Sequence, residues 1–472
     1  MIIFRIIFLS TLLNLLSNCA FAQALDGNIG KIDSILTINS IILKGNKVTK
    51  DRIILRELEF KEGSKLALST LDSLIIKSQQ NLLNRSLFNF VTITKNINGY
   101  QCQIEVSVIE RWYIWPIPIV QFADRNINSW LEKKDLSRVN YGIDLRIDNF
   151  RGLMENLNIV LQGGYDIVLA FRWSIPYLSK NQIFGMGVAG GIQLNHEIAY
   201  QTIDSKEQYY KSIDGFAQQL KYSEVTFTVR PEYNYLYGFS IGFNQYIFQD
   251  TILELNPDFA SSQNTYNYFT IGLGFKLDFR DFKPYPLDGY YFDISFNKKG
   301  LGIFDDAVNY FSAGANFDQY IHIYNKWYFA YNFGAKFSNQ NIQSPYFIRT
   351  GLGYHPFTIR GYELYVVNGQ KIGIAKSNLK FNVIPRTVFN INWIKSTKFS
   401  EVFFEMYANL FFDAAYVNDI YTSQLNPLSN QLLWSTGLGI DMITYYDLVL
   451  RLELSINKQK DKGFFISFVA PI

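Results

Sequence analysis

The chain has 472 residues, of which 18% are charged, and its 44 basic residues nearly balance its 41 acidic ones. The resulting net charge of +3 leaves no basic excess for a phosphate backbone, which argues against nucleic acid as a partner. Aromatic residues make up 17% of the chain, a content typical of membrane β-barrels with aromatic belts at both lipid–water interfaces.

The first 22 residues have the pattern of a secretory signal peptide. Arg5 supplies a positive charge, the apolar stretch 6–16 follows it, and residues 20–22 form a small-x-small cleavage site. The apolar stretch is shorter than the roughly 20 residues that a membrane-spanning helix needs. A lipoprotein signal ending at Cys19 is a poorer match. We therefore predict that residues 1–22 are a signal peptide and that the protein is exported.

Residues 23–115 have the mixed pattern of a small α+β domain. An apolar run at 38–43 predicts a strand, and apolar residues at helical spacing over 71–82 predict a helix. Strict alternation of apolar and polar residues over 103–108 predicts a further strand. The order strand, helix, helix, strand, strand fits one compact periplasmic domain.

Two prolines, Pro116 and Pro118, follow this domain. Because proline has no backbone N–H, it is unfavourable inside a central strand or a helix. We therefore predict a stiff linker over 116–137, and we expect the first barrel strand near Tyr141 to Asp148.

Residues 138–472 alternate between apolar and polar side chains almost throughout. Apolar residues occupy every second position from Phe269 to Phe279, and again from Leu448 to Ile456. Segments of about ten residues match the length that a tilted strand needs to cross a membrane. Turn signals divide the region into about 16 such segments. The pattern predicts a mainly β fold, a transmembrane antiparallel β-barrel, because a closed barrel leaves no unpaired backbone groups in lipid.

The sequence lacks the usual signatures of an enzyme. It contains neither the G-x-S-x-G motif of serine hydrolases nor a phosphate-binding loop. Its three histidines fall in different predicted segments without metal-ligand spacing: His196, His322 and His355. We predict a protein without catalytic residues, cofactor or bound metal.

Three segments carry a more specific signal. The first lies in the middle of the predicted barrel and contains Asp278, Arg280, Asp281, Gly289 and Tyr290. The second is a loop motif formed by Ile359, Arg360, Gly361 and Tyr362. The third is a strand that carries Asp413. In this order and spacing they resemble the Omp85 superfamily of outer-membrane proteins, of the BamA/TamA and surface antigen D15 type. The domain 23–115 is similar to a POTRA module.

The resemblance implies that the loop motif folds into the lumen and that Arg360 pairs with Asp413. The alternation of the strand agrees, because apolar residues from Phe404 to Phe412 form a lipid-facing set and leave Asp413 on the inner face. The planar guanidinium of arginine suits a bidentate pair with a carboxylate. Gly361 would permit a tight turn, and Tyr362 would pack with its hydroxyl hydrogen-bonded. A charge swap between Arg360 and Asp413 is expected to restore part of the function.

The resemblance also implies an outer-membrane location, with the small domain in the periplasm and with membrane lipid and unfolded outer-membrane or secreted polypeptides as partners. The first hypothesis is an insertase that templates client strands at the seam between the first and last barrel strands. The alternative is a polypeptide translocation pore of the two-partner-secretion type, and a passive porin fits less well. The need for periplasmic or lipoprotein partners stays open.

Overall fold

A computed structural model describes residues 35–122, 139–260, 263–304, 308–339, 345–421 and 424–468. The predicted signal peptide lies outside these residues, as does most of the predicted linker.

The N-terminal domain is built from four strands and two helices. These are β1 (Ile35–Lys44), α1 (Asp51–Arg56), β2 (Lys65–Ala67), α2 (Leu68–Leu83), β3 (Phe88–Asn98) and β4 (Gln101–Glu110). The sheet order is β2-β1-β4-β3, with β1 parallel to β4 and the other pairs antiparallel. Alternate apolar residues of β1 and β4, such as Ile38 and Ile104, are buried together with α2 residues such as Leu71. The α+β prediction for this region is confirmed.

The rest of the chain forms one antiparallel sheet of 16 strands. In chain order these are β5 (Ile114–Phe122), β6 (Val139–Phe150), β7 (Glu155–Gly164), β8 (Ile167–Ile175), β9 (Phe184–Asn195), β12 (Gln218–Val229), β13 (Tyr235–Phe248), β14 (Thr265–Asp278), β15 (Gly289–Lys299), β16 (Tyr310–Tyr324), β17 (Trp327–Ser338), β20 (Lys371–Asn390), β21 (Glu401–Asn418), β22 (Leu432–Thr444), β23 (Leu448–Asn457) and β24 (Lys462–Phe468). The prediction of about 16 antiparallel strands is confirmed.

Short strands and helices lie in the connections between these strands. They are the hairpin of β10 (Glu197–Ile203) and β11 (Lys206–Lys211), the pair β18 (Gly351–Leu352) and β19 (Val367–Asn368), and helices α3 (Asp250–Leu255) and α4 (Thr397–Ser400). Among the described residues, no helix has the length and apolar character needed to cross a membrane.

The two faces of the large sheet differ in chemistry. On β21 the outward side chains Leu410 and Phe412 are each about half exposed, whereas Asp413 on the inner face is fully buried. The same contrast holds on β22, where Leu438 is exposed and Asp441 is buried. A large apolar outer face is costly in water but favourable in lipid, and charges belong on the inner face of such a sheet.

The sequence prediction for the start of the barrel was wrong. Residues 116–122, predicted as part of the linker, belong to β5, and the strand expected near Tyr141 to Asp148 is the second strand, β6. The physical reason is that proline is excluded from central strands but tolerated in a strand at the end of a sheet. Strand β5 is such a strand. Among the described residues, β6 is the only strand that pairs with β5, and β23 is the only strand that pairs with β24 at the other end of the sheet.

The N-terminal domain packs on the turns at one end of the barrel, which we call the domain end; the opposite end is the far end. The Lys50 amide donates to the Gly152 carbonyl at 2.9 Å, in the turn between β6 and β7. The Arg111 guanidinium bonds Asp447, between β22 and β23, at 2.7 and 2.8 Å. Because these turns lie far apart in the strand order, the domain extends across the mouth of the barrel.

A buried ionic cluster lies at this domain–barrel contact. The Glu57 carboxylate is 3.0 Å from Arg230 of the turn between β12 and β13, and 3.1 Å from Arg85 of its own domain. The hydroxyl of Tyr177, in the turn between β8 and β9, donates to Glu57 at 2.9 Å. Burial alone would raise the pKa of the Glu57 carboxyl, but the neighbouring guanidinium groups outweigh burial and lower the pKa to about 2.

Candidate functional site

The connection between β17 and β20 enters the barrel from the far end. We call residues 345–370 the lumenal loop. Its base is the β18–β19 pair, in which Gly351 lies opposite Asn368 and Leu352 opposite Val367. Apolar residues of the loop pack against the inner face of the barrel wall, where they form one cluster: Leu352, Phe357, Ile359, Tyr362, Val367, Ile372, Ile374, Ala415, Val417, Leu428 and Leu433. The loop is therefore held in the lumen by apolar contacts as well as by polar ones.

The Arg360 guanidinium at the tip of this loop bonds the carboxylate of Asp413. Nε lies 2.8 Å from Oδ2, and Nη2 lies 2.6 Å from Oδ1. The backbone amide of Arg360 also donates to Oδ2, at 3.1 Å. The guanidinium lies over the Phe411 ring, 3.9 Å from its centroid. Asp413 has no exposed surface, so this bidentate pair is charge-assisted and shielded from solvent.

The neighbours of Arg360 fix the path of the loop tip. Gly361 has a φ of +78°, a conformation that favours glycine, and its carbonyl accepts a hydrogen bond from Asn457 at 2.9 Å. The Tyr362 side chain is buried, and its hydroxyl donates to the Gln459 side chain at 2.6 Å. The motif residues thus contact both β21 and the end of β23.

A second carboxylate lies near Arg360, and it was not predicted from the sequence. Glu453 of β23 lies 3.3 Å from Arg360 Nη1 and 3.8 Å from Arg451 Nε. Arg451 in turn bonds Asp441 of β22 at 2.7 Å. The alternation of β23 does indicate that Arg451 and Glu453 lie on the face opposite its leucines. That pattern alone names no partner for either charge.

A turn enters the lumen from the domain end and meets the same network. We call residues 279–288, between β14 and β15, the turn plug. The hydroxyl of Tyr285 donates to Asp441 at 2.8 Å, and its ring centroid lies 5.0 Å from that of Tyr407. The Lys380 ammonium lies over the Tyr285 ring, 4.1 Å from its centroid. The burial of this turn, which contains Pro284 and Pro286, was not predicted from the sequence.

The mid-barrel motif builds this turn and does not contact Arg360. Arg280 bonds Asp278 at 2.8 and 2.9 Å, and Asp281 accepts a hydrogen bond from the Leu287 amide at 3.1 Å. Gly289 has a φ of +95°, and a Cβ there would lie 2.1 Å from the Phe279 carbonyl oxygen.

Tyr290 stacks on Phe279 with ring centroids 5.0 Å apart. The structure therefore separates the two motifs in space, with the loop motif at the tip of the lumenal loop and the mid-barrel motif at the domain end. It connects them through the polar network: Tyr285, Asp441, Arg451, Glu453 and Arg360.

The lumen beside the loop retains a cavity whose lining includes charged side chains. This cavity of about 710 Å³ lies between the loop and strands β12 to β17, with Lys276, Asp293 and Lys336 in its lining. In the part of the chain that the structure describes, no group of three or more His, Cys, Asp or Glu side chains is arranged to hold a metal ion.

Comparison with known proteins agrees with this architecture. The Omp85 superfamily domain matches residues 149–467, and the POTRA family, described as surface antigen variable number repeat, matches residues 36–111. No curated protein matched the chain.

Among solved structures, BamA from Haemophilus ducreyi lacking POTRA domains 1-3 superimposes with a TM-score of 0.50 at 15% identity, covering 94% of this chain and 84% of that one. CdiB from Escherichia coli gives a TM-score of 0.49 at 10% identity, with coverage of 95% and 91%. CdiB from Acinetobacter baumannii gives 0.46 at 11%, with coverage of 92% and 73%.

The 16-stranded sheet, its lumenal loop and the small domain at its mouth define an outer-membrane β-barrel with a periplasmic POTRA domain. The chain belongs to the Omp85 superfamily, since the match covers more than half of its length. The domain end is accordingly the periplasmic end. Proteins of this family are generally non-enzymatic insertases or translocases of polypeptides.

Proposed function

We propose that this protein inserts unfolded outer-membrane polypeptides into the membrane by pairing their strands with the barrel seam. The observation that carries the proposal is the buried Arg360–Asp413 pair. A passive pore needs an open lumen, whereas here a loop fixed by a bidentate ion pair lies inside it. The contacts that fix the loop in the lumen support a role for the barrel wall and seam rather than for the lumen.

The two end strands of the sheet, β5 and β24, each pair with one neighbour among the described residues, and this supports the same proposal. Backbone N–H and C=O groups that face lipid without partners are costly, so an edge of this kind favours the addition of another strand. An incoming strand with apolar residues at alternate positions would satisfy these groups and leave its apolar face in lipid. No covalent step is required, because each added strand gains backbone hydrogen bonds as it leaves water.

The second candidate is a translocation pore for a dedicated secreted polypeptide. The cavity beside the lumenal loop, with charged side chains in its lining, favours it. If the loop left the lumen, this cavity would extend towards both ends of the barrel. This candidate requires that the loop and the turn plug move during transport.

The test is insertion of an unfolded outer-membrane barrel into liposomes that contain the purified protein, scored by protease protection. Insertion faster than in empty liposomes, and slowed by Arg360→Ala, is the expected result. The matched control is Arg386→Ala, because Arg386 is a half-exposed arginine of β20 whose nearest carboxylate is 3.8 Å away. Equal rates with and without the protein would contradict the insertase proposal. Ion currents that a secreted polypeptide blocks would then favour the pore.

A further inference from the structure

The two strands that border the seam, β5 and β24, differ in the backbone hydrogen bonds that their seam-facing edges can form. The Asp148 amide of β6 donates to the Tyr113 carbonyl at 2.7 Å, and the register continues from Ile114 opposite Ile147. In an antiparallel pair, residues that exchange hydrogen bonds alternate with residues that do not. The even-numbered residues of β5 therefore direct their backbone groups away from β6, towards the seam.

Both prolines of β5 belong to this seam-facing set. Pro116 and Pro118 have no N–H, so two consecutive donor positions are missing from the edge. The next seam-facing carbonyl, that of Ile114, already accepts a hydrogen bond from the Trp112 indole. Over residues 114–118, β5 therefore offers an incomplete row of donors and acceptors. This also explains how two prolines fit into the strand, since neither removes a hydrogen bond to β6.

By the same reasoning, the seam-facing edge of β24 keeps all of its backbone hydrogen-bond donors and acceptors. The Asn457 amide of β23 donates to the Asp461 carbonyl at 3.1 Å, so odd-numbered residues of β24 bond β23. The even-numbered residues face the seam, and each has both its N–H and its C=O. They are Lys462, Phe464, Ile466 and Phe468. The side chains of the last three are 59%, 62% and 72% exposed, as suits a strand that faces lipid.

We propose that an incoming strand pairs with β24 and not with β5. The inference rests on the proposed function and specifies which side of the seam acts as the template. Because two donors are missing, β5 cannot form a complete ladder with β24, and its prolines leave the β24 edge available. The partner is an extended segment of an unfolded outer-membrane polypeptide with apolar side chains at every second position, which continues the lipid-facing row of Phe464, Ile466 and Phe468.

The experiment is site-specific photo-cross-linking during insertion of an unfolded barrel into liposomes. A photoreactive residue replaces either Ile466 of β24 or Val120 of β5, which are matched in exposure at 62% and 65%. The expected result is a client adduct mainly at Ile466. Insertion with the stronger adduct at Val120 would overturn this assignment alone. Absence of insertion in every sample would overturn the proposed function and the assignment with it.

A client-free measurement tests the role of the prolines. Replacing both by valine, Pro116→Val with Pro118→Val, restores the two seam-facing donors. We expect β5 to pair with β24, so that amide hydrogen exchange over residues 462–468 slows by about tenfold or more and insertion is lost. The matched control is Ile117→Val with Ile119→Val, which alters the same strand without changing its donors. Unchanged exchange in the doubly substituted proline variant would overturn the proposed asymmetry.

Discussion

Arg451 and Asp441 form a buried ion pair, 2.7 Å apart, that connects two segments entering the barrel from opposite ends. On one side, Arg451 is linked through Glu453 to Arg360 of the lumenal loop. On the other side, Asp441 accepts the hydrogen bond of Tyr285 in the turn plug. A substitution at either end of this network changes the electrostatic environment of the charged residues at the other end, because few solvent molecules can screen charges buried this deeply.

Arg360→Ala should release the loop while the barrel stays folded. The substitution leaves Asp413 buried without its cation, and breaking such a pair costs about 3–5 kcal/mol. Limited proteolysis of the loop in intact proteoliposomes measures the effect, with faster cleavage expected in the variant. Arg360→Met combined with Asp413→Leu removes both charges and should protect the loop better than Arg360→Ala. Equal cleavage of wild type and Arg360→Ala would contradict the conclusion that the Arg360–Asp413 pair holds the loop.

The charge swap between Arg360 and Asp413 should restore little. An aspartate at position 360 would be shorter than arginine and would face Glu453, which now lies 3.3 Å from the guanidinium. The backbone amide of residue 360 would also lose its carboxylate acceptor. The partial rescue expected from the sequence took only two charges into account. Insertion activity of the swapped protein near the wild-type level would show that Glu453 is unimportant.

Tyr285→Ala should open the domain end of the barrel. The ring is buried between Tyr407 and Lys380, so its removal leaves a space that water and ions can enter. Single-channel conductance in planar bilayers should rise, whereas Tyr285→Phe should lose only the hydrogen bond to Asp441, about 1.5–3 kcal/mol. Tyr324→Ala, which changes an exposed tyrosine near the same end, is the control. Equal conductance of wild type and Tyr285→Ala would show that the turn plug does not obstruct the lumen.

The contact between the POTRA domain and the barrel should weaken in acid. The folded-state pKa of Glu57 is lowered from its ordinary value of 4.5 to about 2. Its contribution to stability is therefore fully present above about pH 4.5 and is lost as the pH falls towards 2. Spin labels at Lys61→Cys and Lys326→Cys, in a Cys102→Ser background, would report the domain–barrel distance.

The distance should lengthen between pH 4.5 and 2 in this labelled protein. The control is Glu57→Gln, which cannot ionise and should show a weaker contact that does not change across the same range. A wild-type distance that stays constant down to pH 2 would mean that other contacts alone hold the domain in place.

Gly289→Ala should destabilise the barrel more than Gly361→Ala. Both residues have positive φ, but a Cβ at Gly289 would lie 2.1 Å from a backbone oxygen, whereas at Gly361 the nearest atom is a side-chain carbon 3.2 Å away. Backbone cannot move aside as readily as a side chain. The temperature at which each variant loses its compact form on a semi-native gel provides the comparison. The reverse order would contradict the close approach at Gly289.

Much of the strand arrangement could be predicted because a period of two residues directly encodes a sheet with one apolar face. The phase of β21 likewise put Asp413 on the inner face before any contact was known. The start of the barrel could not be predicted in this way. The penalty for proline depends on which neighbour its missing N–H would have bonded, and β5 lies at the end of the sheet. The local sequence around Pro116 does not contain that information.

The sequence by itself determined the class of the fold, the order of its two domains and the resemblance that singled out Arg360 and Asp413. Only the tertiary structure decided that Glu453 and Arg451 extend this pair, that Tyr285 closes the other end, and that Glu57 lies among arginines from two domains. The physical reason is that a charge is stable inside a protein only with partners close in space. In a barrel those partners come from strands and turns far apart in the chain.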